Sequence, residues 1–403
     1  MKNNVQRLLS IIKNKNSINF LKNKLYKNKC YENDEQNIID FILESEKPYK
    51  DIKISYKKIK SITFLIPDFG IGSGGHTTIF RIASYMEKSG YNINLVLTGP
   101  TKFKDKNYLK YFINEYFIKF NPTIFLTVND YLKTKIPISE ILICTSWKTA
   151  YYLNRFPSFF LNKFYLVQDY EAHFNPLSSL YYFAENTYKL PFFNICASKW
   201  LSQIISENFN TKTDYFNLGF DKNYYFPLNN KRDKKSIIYY GRWETPRRGF
   251  EIAMSAFKIL KEQDNNIKIK IYGSNNLNGK VPFEFTNLGQ LSYVQLAKEF
   301  NEATVGLSIS LTNISLTPCE MMACKLPVLE INHPSVNTMF KHKKDLLLSE
   351  PNPFDVAKKL KYLLDNKNYR VTLANNGYKK VTTNYTWINA FEKFKKIIEK
   401  NSK

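Results

Sequence analysis

The chain has 403 residues, of which 43% are hydrophobic and 23% charged, so its composition is that of a globular protein. This length excludes a single small binding module and predicts two domains with substantial cores, and the composition excludes a disordered chain. Lys and Arg together number 59 against 35 Asp and Glu, which gives a formal net charge of +24. The positive balance favours polyanionic partners: nucleic acid, an anionic membrane face or phosphorylated ligands.

The sequence predicts neither a membrane span nor a secretion signal. No apolar run approaches the roughly 18 to 20 residues that cross a bilayer, and the N-terminus lacks the apolar core and cleavage site of a signal peptide. We therefore expect a cytoplasmic protein. The five cysteines are scattered and the four histidines form no HxxxH or HExxH pair, so we predict neither a disulfide framework nor a metal site.

Residues 1–30 are strongly basic, with seven Lys, one Arg and no acid. Apolar residues recur among them at intervals of three and four, which is typical of an amphipathic helix. Such a helix can lie on an anionic membrane leaflet; the alternative is a solvated lysine-rich helix that packs on the body of the protein. We predict a helix and a linker over residues 31–60, so that residues 1–60 form a basic helical extension.

From Ser61 onward, short β-branched or aromatic runs alternate with helical stretches. This alternation predicts βαβ units and a parallel sheet covered on both faces. The first domain spans residues 61–225. Its predicted strands are Ile62–Ile66, Ile93–Leu97, Ile124–Thr127, Ile141–Thr145, Phe164–Gln168, Phe193–Ala197 and Tyr215–Leu218.

A polar segment that contains a proline, Phe226–Lys235, is typical of an interdomain linker, and a second alternating series follows it. We predict a second Rossmann-like domain over residues 226–375 and C-terminal helices over residues 376–403 that cross back to the first domain. Ligands of such paired α/β domains normally bind in the crevice outside the carboxyl ends of the strands. The predicted strands are Ser236–Tyr240, Ile267–Tyr272, Val305–Ile309 and Val328–Ile331, and the predicted helices include Phe250–Glu262, Tyr293–Phe300, Pro318–Cys324 and Trp387–Glu399.

A glycine-rich loop follows the first predicted strand. Gly70, Gly72 and Gly75 satisfy the GxGxxG spacing between a strand and a helix, where backbone N–H groups can approach an anion. A dinucleotide site would also need an acid about 20 residues further on, and the segment Leu97–Gly99 has none. The loop therefore predicts a phosphate or sugar contact rather than an NAD site, and the alternative is a tight turn without a ligand.

A second loop is rich in arginine. It reads Gly241-Arg242-Trp-Glu-Thr-Pro-Arg247-Arg248-Gly249, leaves a predicted strand and enters a predicted helix. Arginines that flank a loop at this place can hold a diphosphate through bidentate hydrogen bonds, without a metal. The alternative is a set of surface arginines in a basic protein.

Two further segments contain acids at the same edge of the predicted sheets. Thr317, Pro318 and Glu320 fit a helix N-cap, an N1 proline and a capping-box acid, but Glu320 could equally hold ribose hydroxyls. Asp169, Glu171 and His173 lie together after a strand, where burial can tune a general base; the alternative is loop capping.

With these segments in view, the chain resembles the two-domain nucleotide-sugar glycosyltransferases of the GT-B fold and the family-4 type, and most closely the bacterial rhamnosyltransferases of the WsaF type. The resemblance rests on the Gly72–His76 loop, VQDYEAHF, GR…RRGFEIAMSAFKIL, Tyr272-Gly273 and PCEMMACKLPV. The resemblance implies that Arg242 and Arg248 contact the donor diphosphate, that Glu320 holds the ribose, and that Gly74 and Gly75 border the reacting centre. Thr312 stands where the family has another acid. The predicted donor site also includes His76, Gly241 and Gly273.

We therefore expect a metal-independent glycosyltransferase with no cofactor. It would move a deoxyhexose, rhamnose from dTDP-L-rhamnose, to a surface-glycan or lipid-linked oligosaccharide acceptor. If the reaction inverts configuration, a group among Asp169, Glu171 and His173 would deprotonate the acceptor. Residues 1–30 would place the enzyme peripherally at the inner face of the cell membrane. The alternative is a catalytically silent protein of the same fold that binds glycan or nucleic acid; since the many aromatics fall in strand and helix runs, we expect no nucleic acid.

Overall fold

The computed structural model describes residues 38–39, 41–47, 60–99, 101–126, 139–156, 162–229 and 231–402. They form two α/β domains, each built on a parallel sheet, which confirms the predicted fold class. The basic segment 1–30 lies outside the described residues, so its amphipathic helix stays a prediction. In the described part of the chain, no helix is both long and apolar enough to cross a membrane.

In the residues that the structure describes from Ser61 onward, the N-terminal domain contains seven strands and five α-helices in alternation. The strands are β1 (Ser61–Ile66), β2 (Asn92–Leu97), β3 (Thr123–Leu126), β4 (Ile141–Cys144), β5 (Asn162–Val167), β6 (Phe193–Cys196) and β7 (Thr213–Tyr215). The helices are α1 (Gly74–Lys88), α2 (Lys106–Tyr116), α3 (Trp147–Asn154), α4 (Ser179–Asn186) and α5 (Lys199–Phe209). The sheet order is β3-β2-β1-β4-β5-β6-β7, which places β1 and β4 next to each other at the point where the chain changes direction.

This sheet separates two apolar cores. Along β1, Phe64 and Ile66 enter one core, and Leu65, between them, enters the other. Successive residues of a strand point to opposite faces, so a continuously apolar strand buries both faces at once. This is why the predicted strands appear as unbroken hydrophobic runs rather than alternating ones.

The C-terminal domain repeats the arrangement with six strands in the order β10-β9-β8-β11-β12-β13. These are β8 (Ser236–Tyr240), β9 (Lys268–Tyr272), β10 (Thr286–Gly289), β11 (Val305–Leu307), β12 (Val328–Ile331) and β13 (Leu347–Ser349). The helices are α6 (Phe250–Gln263), α7 (Tyr293–Glu302), α8 (Thr317–Ala323), α9 (Pro334–Asn337), α10 (Pro353–Asp365), α11 (Lys367–Asn384) and α12 (Trp387–Asn401).

Each predicted strand is present, and β8 and β12 have the predicted bounds. The strand predicted at Tyr215–Leu218 begins earlier, at Thr213, and ends at Tyr215. The sequence does not predict β10 and β13. Both are short strands at the two edges of the second sheet, and three or four residues are too few to produce a periodic pattern.

The last helix, α12, joins the two domains. Trp387, Phe394 and Ile398 are buried in the core of the N-terminal domain. Gly219, in the crossing segment between the domains, lies so close to the start of α12 that an added Cβ atom would stand 2.2 Å from the backbone carbonyl carbon of Thr386. The chain therefore crosses between the domains twice at one place, and the two sheets lie on opposite sides of a cleft.

Candidate active site

The cleft contains the loops that follow β1, β5, β8 and β11. Parallel strands end at the same edge of their sheet, so these loops meet where the two sheets face each other. A cavity of about 410 Å³ lies between the loop after β5 on one side and the loops after β8 and β11 on the other. Its lining residues are His173, Asn175, Leu177, Tyr181, Pro246, Arg247, Leu311 and Thr312.

The glycine-rich loop follows β1 and ends where α1 begins, at Gly74. An added Cβ atom at Gly74 would touch nothing within 4 Å, and one at Gly75 would lie 3.5 Å from the side-chain amide of Gln168. The first turn of α1 therefore leaves its backbone open to a ligand, as the sequence predicts for a phosphate or sugar loop.

His76 shapes this loop. Its ring stacks on Phe69 at 4.6 Å, its Nδ1 lies 2.8 Å from the hydroxyl of Ser73, and its Nε2 lies 3.1 Å from the carbonyl oxygen of Pro67. Burial lowers the pKa of His76 to about 4, so the ring is neutral and its Nε2–H donates to the carbonyl. Both ring nitrogens are occupied inside the loop, which leaves no atom of this side chain for the donor contact predicted from the sequence.

Two predicted donor-site glycines, Gly241 and Gly273, have a packing role. An added Cβ atom at Gly241 would lie 2.2 Å from the side chain of Ile271, and one at Gly273 would lie 2.5 Å from the ring of Tyr240. Gly273 also has a φ of 101°, which side-chain-bearing residues rarely adopt. The two glycines allow the ends of β8 and β9 to lie against each other, and this places the arginine loop.

Arg247 is the arginine that enters the cavity. Its guanidinium lies 4.3 Å above the ring of Phe174, and its Nε is 3.3 Å from Oδ2 of Asp169 in the N-terminal domain. The Nε–H of Arg247 is not aligned for a hydrogen bond, and the buried Nη1 of Arg248 has no partner in the described part of the chain. Buried donors without acceptors are costly, so this loop is prepared to receive an anion.

The three titratable groups predicted after β5 have different surroundings. Glu171 is buried in the N-terminal core, where its carboxylate accepts hydrogen bonds from the Trp147 N–H at 2.8 Å and the Tyr165 hydroxyl at 2.9 Å. Asp169 is also buried, but its carboxylate points across the cleft. His173 is exposed at the cavity wall, and partial desolvation of its ring by the surrounding side chains lowers its pKa. Of the three, His173 has the geometry of a base that a ligand can reach.

The observed start of helix α8 differs from the predicted N-cap. It begins at Thr317 after Leu316, which has helical backbone angles, and no side chain caps it, so the capping box of Thr317 and Glu320 is absent. Burial raises the pKa of Glu320 to about 7, and the nearby charge of Arg81 and the hydroxyl of Tyr225 lower it in part. A carboxylate that lacks capping partners remains available for ligand hydroxyl groups.

Sequence patterns did not point to three residues of the site, namely Arg81, Gln168 and Asn313. These residues have no local signature, because their roles come from contacts between domains or loops far apart in the chain. The adjacent arginines Arg247 and Arg248 were indicated by the sequence, but only the structure shows that Arg247 is the one that faces the cavity.

Glu171 provides a test of the site's electrostatics. Burial raises its pKa to about 7 from an ordinary value of 4.5, so the folded chain keeps a proton that the unfolded chain releases. The free energy of unfolding should therefore fall as pH rises from about 4.5 to about 7. We expect Glu171→Gln to reduce this fall by about 1 to 3 kcal/mol, measured by urea unfolding at several pH values in that range. Exposed Glu115→Gln serves as the control, and an equal pH dependence in wild type and Glu171→Gln would contradict the assignment.

Two family profiles match the chain, one in each domain. The profile described as "WsaF, N-terminal domain" matches residues 62–197, and the profile "Glycosyl transferases group 1" matches residues 221–380. The chain is 26% identical over 339 residues to the O-antigen biosynthesis protein RfbC of Myxococcus xanthus. This alignment covers 81% of the chain and 26% of RfbC, so the chain spans about a quarter of that relative's length.

Solved structures share the architecture at low sequence identity. Sucrose-phosphate synthase from Thermosynechococcus elongatus has a TM-score of 0.65 and 13% identity, over 85% of this chain and 98% of that one. Anabaena HepE, solved in complex with UDP-glucose, has a TM-score of 0.65 and 13% identity, over 84% and 99% of the two chains. At this level of identity the likeness is one of fold.

Proposed function

We propose that this chain, which has the GT-B fold and matches the WsaF N-terminal and group 1 glycosyltransferase profiles, is a glycosyltransferase that transfers a deoxyhexose, rhamnose from dTDP-L-rhamnose, to a cell-surface glycan or its lipid-linked precursor. The observation that carries the proposal is the arginine loop after β8, where Arg247 lines the cavity and the buried Nη1 of Arg248 has no partner in the described part of the chain. The name of RfbC supports an O-antigen type of acceptor, and the UDP-glucose complex of HepE supports a nucleotide-sugar donor.

In this proposal the donor diphosphate lies against Arg242 and Arg248. Their charges would offset the charge that develops on the departing diphosphate, which is the work a metal ion performs in other transferases. Glu320 accepts hydrogen bonds from the ribose, and Gly74 and Gly75 border the sugar. If configuration inverts, His173 takes the proton of the acceptor hydroxyl, since its lowered pKa favours the neutral ring and the ring lines the cavity.

The direct test is transfer or hydrolysis of a panel of nucleotide sugars in the presence of EDTA. We expect dTDP-L-rhamnose to be consumed fastest, and we expect Arg242→Ala and Arg248→Ala each to lower turnover about 10- to 100-fold. Each variant loses a charge-assisted contact of about 1.5 to 3 kcal/mol. Lysine at either position should rescue only in part, because it cannot form the bidentate contact.

The matched control is Lys298→Ala, which removes a positive charge from an exposed ion pair on α7. Lys298→Ala should leave turnover unchanged. Wild-type turnover in both arginine variants would refute the diphosphate contact, and activity that EDTA abolishes and Mg²⁺ restores would refute metal independence. Hydrolysis of none of the nucleotide sugars would refute the donor assignment.

Glu320 provides a second prediction. Glu320→Gln removes a charged acceptor from the proposed ribose contact, so donor binding should weaken about tenfold. Because the variant also removes a carboxylate that burial disfavours, the melting temperature should stay the same or rise. Donor affinity by calorimetry and melting temperature are measured side by side. Exposed Glu251→Gln, in the first turn of α6, is the control and should change neither; a lowered melting temperature with unchanged affinity would leave Glu320 a purely structural role.

The basic segment 1–30 is proposed to hold the enzyme on an anionic membrane, where a lipid-linked acceptor resides. Each basic residue near such a surface contributes about 1 kcal/mol, and the attraction is screened by salt. Deletion of residues 1–30 should therefore abolish co-flotation with phosphatidylglycerol vesicles, and salt should release the full-length chain. Phosphatidylcholine vesicles are the control. Equal flotation of the truncated and full-length chains would overturn this part of the proposal.

A further inference from the structure

Asp169 connects the two domains through one carboxylate. It lies just beyond β5 in the N-terminal domain, and its side chain is 10% exposed. Its Oδ1 accepts hydrogen bonds from the backbone N–H of Tyr170 at 2.9 Å and of Asn313 at 3.0 Å. Its Oδ2 accepts from the hydroxyl of Thr312 at 3.1 Å and lies 3.3 Å from Nε of Arg247. Three of these four partners belong to the C-terminal domain.

These partners take up most of the hydrogen-bonding capacity of the Asp169 carboxylate. A carboxylate offers about four lone-pair positions, and each oxygen of Asp169 already faces two donors. A base must have a free lone pair directed at the acceptor hydroxyl. Three lone pairs of Asp169 accept hydrogen bonds, and the remaining side of Oδ2 faces the guanidinium of Arg247. The contacts therefore indicate a role in placing other groups rather than in taking a proton.

The C-terminal partners form a single unit. The backbone N–H of Leu311 donates to the carbonyl oxygen of Arg247 at 3.1 Å, which ties the loop after β11 to the arginine loop. From inside the domain, the carboxylate of Glu330 accepts from the N–H of Ser310 at 2.9 Å, and the hydroxyl of Ser335 donates to the carbonyl of Thr312 at 2.9 Å. A displacement of Thr312 and Asn313 would therefore also move the backbone of Arg247.

Asn313 extends the contact into the N-terminal domain. Its Nδ2 donates to the carbonyl oxygen of Gln168 at 2.9 Å, and its Oδ1 accepts from the hydroxyl of Ser198 at 2.7 Å. Gln168 is the residue whose side chain borders Gly75 at the start of α1. The same cluster therefore joins the glycine-rich loop, the arginine loop and the loop after β11.

We propose that Asp169 is a positioning residue that holds the two halves of the active site in register across the cleft. This inference rests on the proposed transfer from a nucleotide sugar. The negative charge of Asp169 keeps Arg247 beside the cavity and fastens Thr312 and Asn313 to the N-terminal domain. Because an anionic donor is repelled by this same charge, Asp169 supports turnover without strengthening diphosphate binding.

The variant Asp169→Asn distinguishes the effect of Asp169 on turnover from its effect on diphosphate binding. Asparagine keeps its single oxygen for the N–H groups of Tyr170 and Asn313 but presents an uncharged N–H₂ group to Thr312 and Arg247. We expect kcat to fall at least tenfold while the dissociation constant for dTDP stays within twofold of wild type or decreases. Thr312→Val, which keeps the side-chain shape and removes only the hydroxyl, should lower kcat in the same direction by a smaller factor.

Distances between the domains are measured without any ligand, by electron paramagnetic resonance of spin labels at exposed Glu115 in the N-terminal domain and Lys358 in the C-terminal domain. Cys30 is replaced by Ser to prevent stray labelling, and the four described cysteines are buried. In Asp169→Asn the distance distribution should broaden or shift. Asp264→Asn, which breaks an ion pair with Lys235 inside the C-terminal domain, is the charge-matched control and should leave the distribution unchanged.

Three results would overturn the proposal. The first is an unchanged distance distribution in folded Asp169→Asn. The second is an unchanged kcat. The third is a fall in kcat together with the loss of the acidic limb of the pH–rate profile, which would identify Asp169 as a general base. If wild-type protein bound no nucleoside diphosphate, the proposed donor would fail, and the label distances would still decide whether Asp169 joins the domains.

Discussion

The directions of the parallel strands determine where chemistry can occur in this protein. In both sheets the carboxyl ends point to the cleft, so every loop that follows a strand delivers its side chains to the same narrow region. The helix α1 starts there with an open turn at Gly74, and the arginine loop starts there because Gly241 lets β8 end close against β9. Loops supply the functional groups, and the buried sheets hold them in place without strain in the ligand-binding groups themselves.

Two buried carboxylates show how the same physical effect serves different purposes. Burial raises the pKa of both Glu171 and Glu320 to about 7. Glu171 is held by the start of α3 and by Tyr165, so its charge is satisfied inside one domain. Glu320 faces Arg81 from the other domain, and no helix-capping contact occupies it. A carboxylate in that condition gains most from a ligand that brings hydroxyl groups, and this is the physical basis of the ribose contact proposed for Glu320.

The strands and the location of the site follow from the sequence, and the directions of the side chains do not. Hydrophobic runs predict β8 to the residue, because a doubly buried strand leaves a continuous apolar signal. The GxGxxG spacing and the doubled arginine predict which loops bind an anion. His76 nevertheless turns into its own loop, and Arg247 rather than its neighbour enters the cavity. The direction of His76 is set by contacts with Ser73, Pro67 and Phe69 within its own loop. That of Arg247 is set by Phe174 and Asp169, more than seventy residues away along the chain, and local patterns contain no record of such packing.

The pairing of Asp169 with Thr312 offers a physical reason for the departure of this chain from the family it resembles. An acid at position 312 would stand within hydrogen-bonding distance of Asp169, because the threonine hydroxyl lies 3.1 Å from that carboxylate. Two like charges so close in a buried site raise the pKa of one carboxyl group or drive the groups apart, and here driving them apart would open the cleft. Threonine removes the repulsion and supplies a donor instead. In this chain a carboxylate from the N-terminal side of the cleft lies beside position 312, where it contacts the C-terminal domain and brings its charge to Arg247.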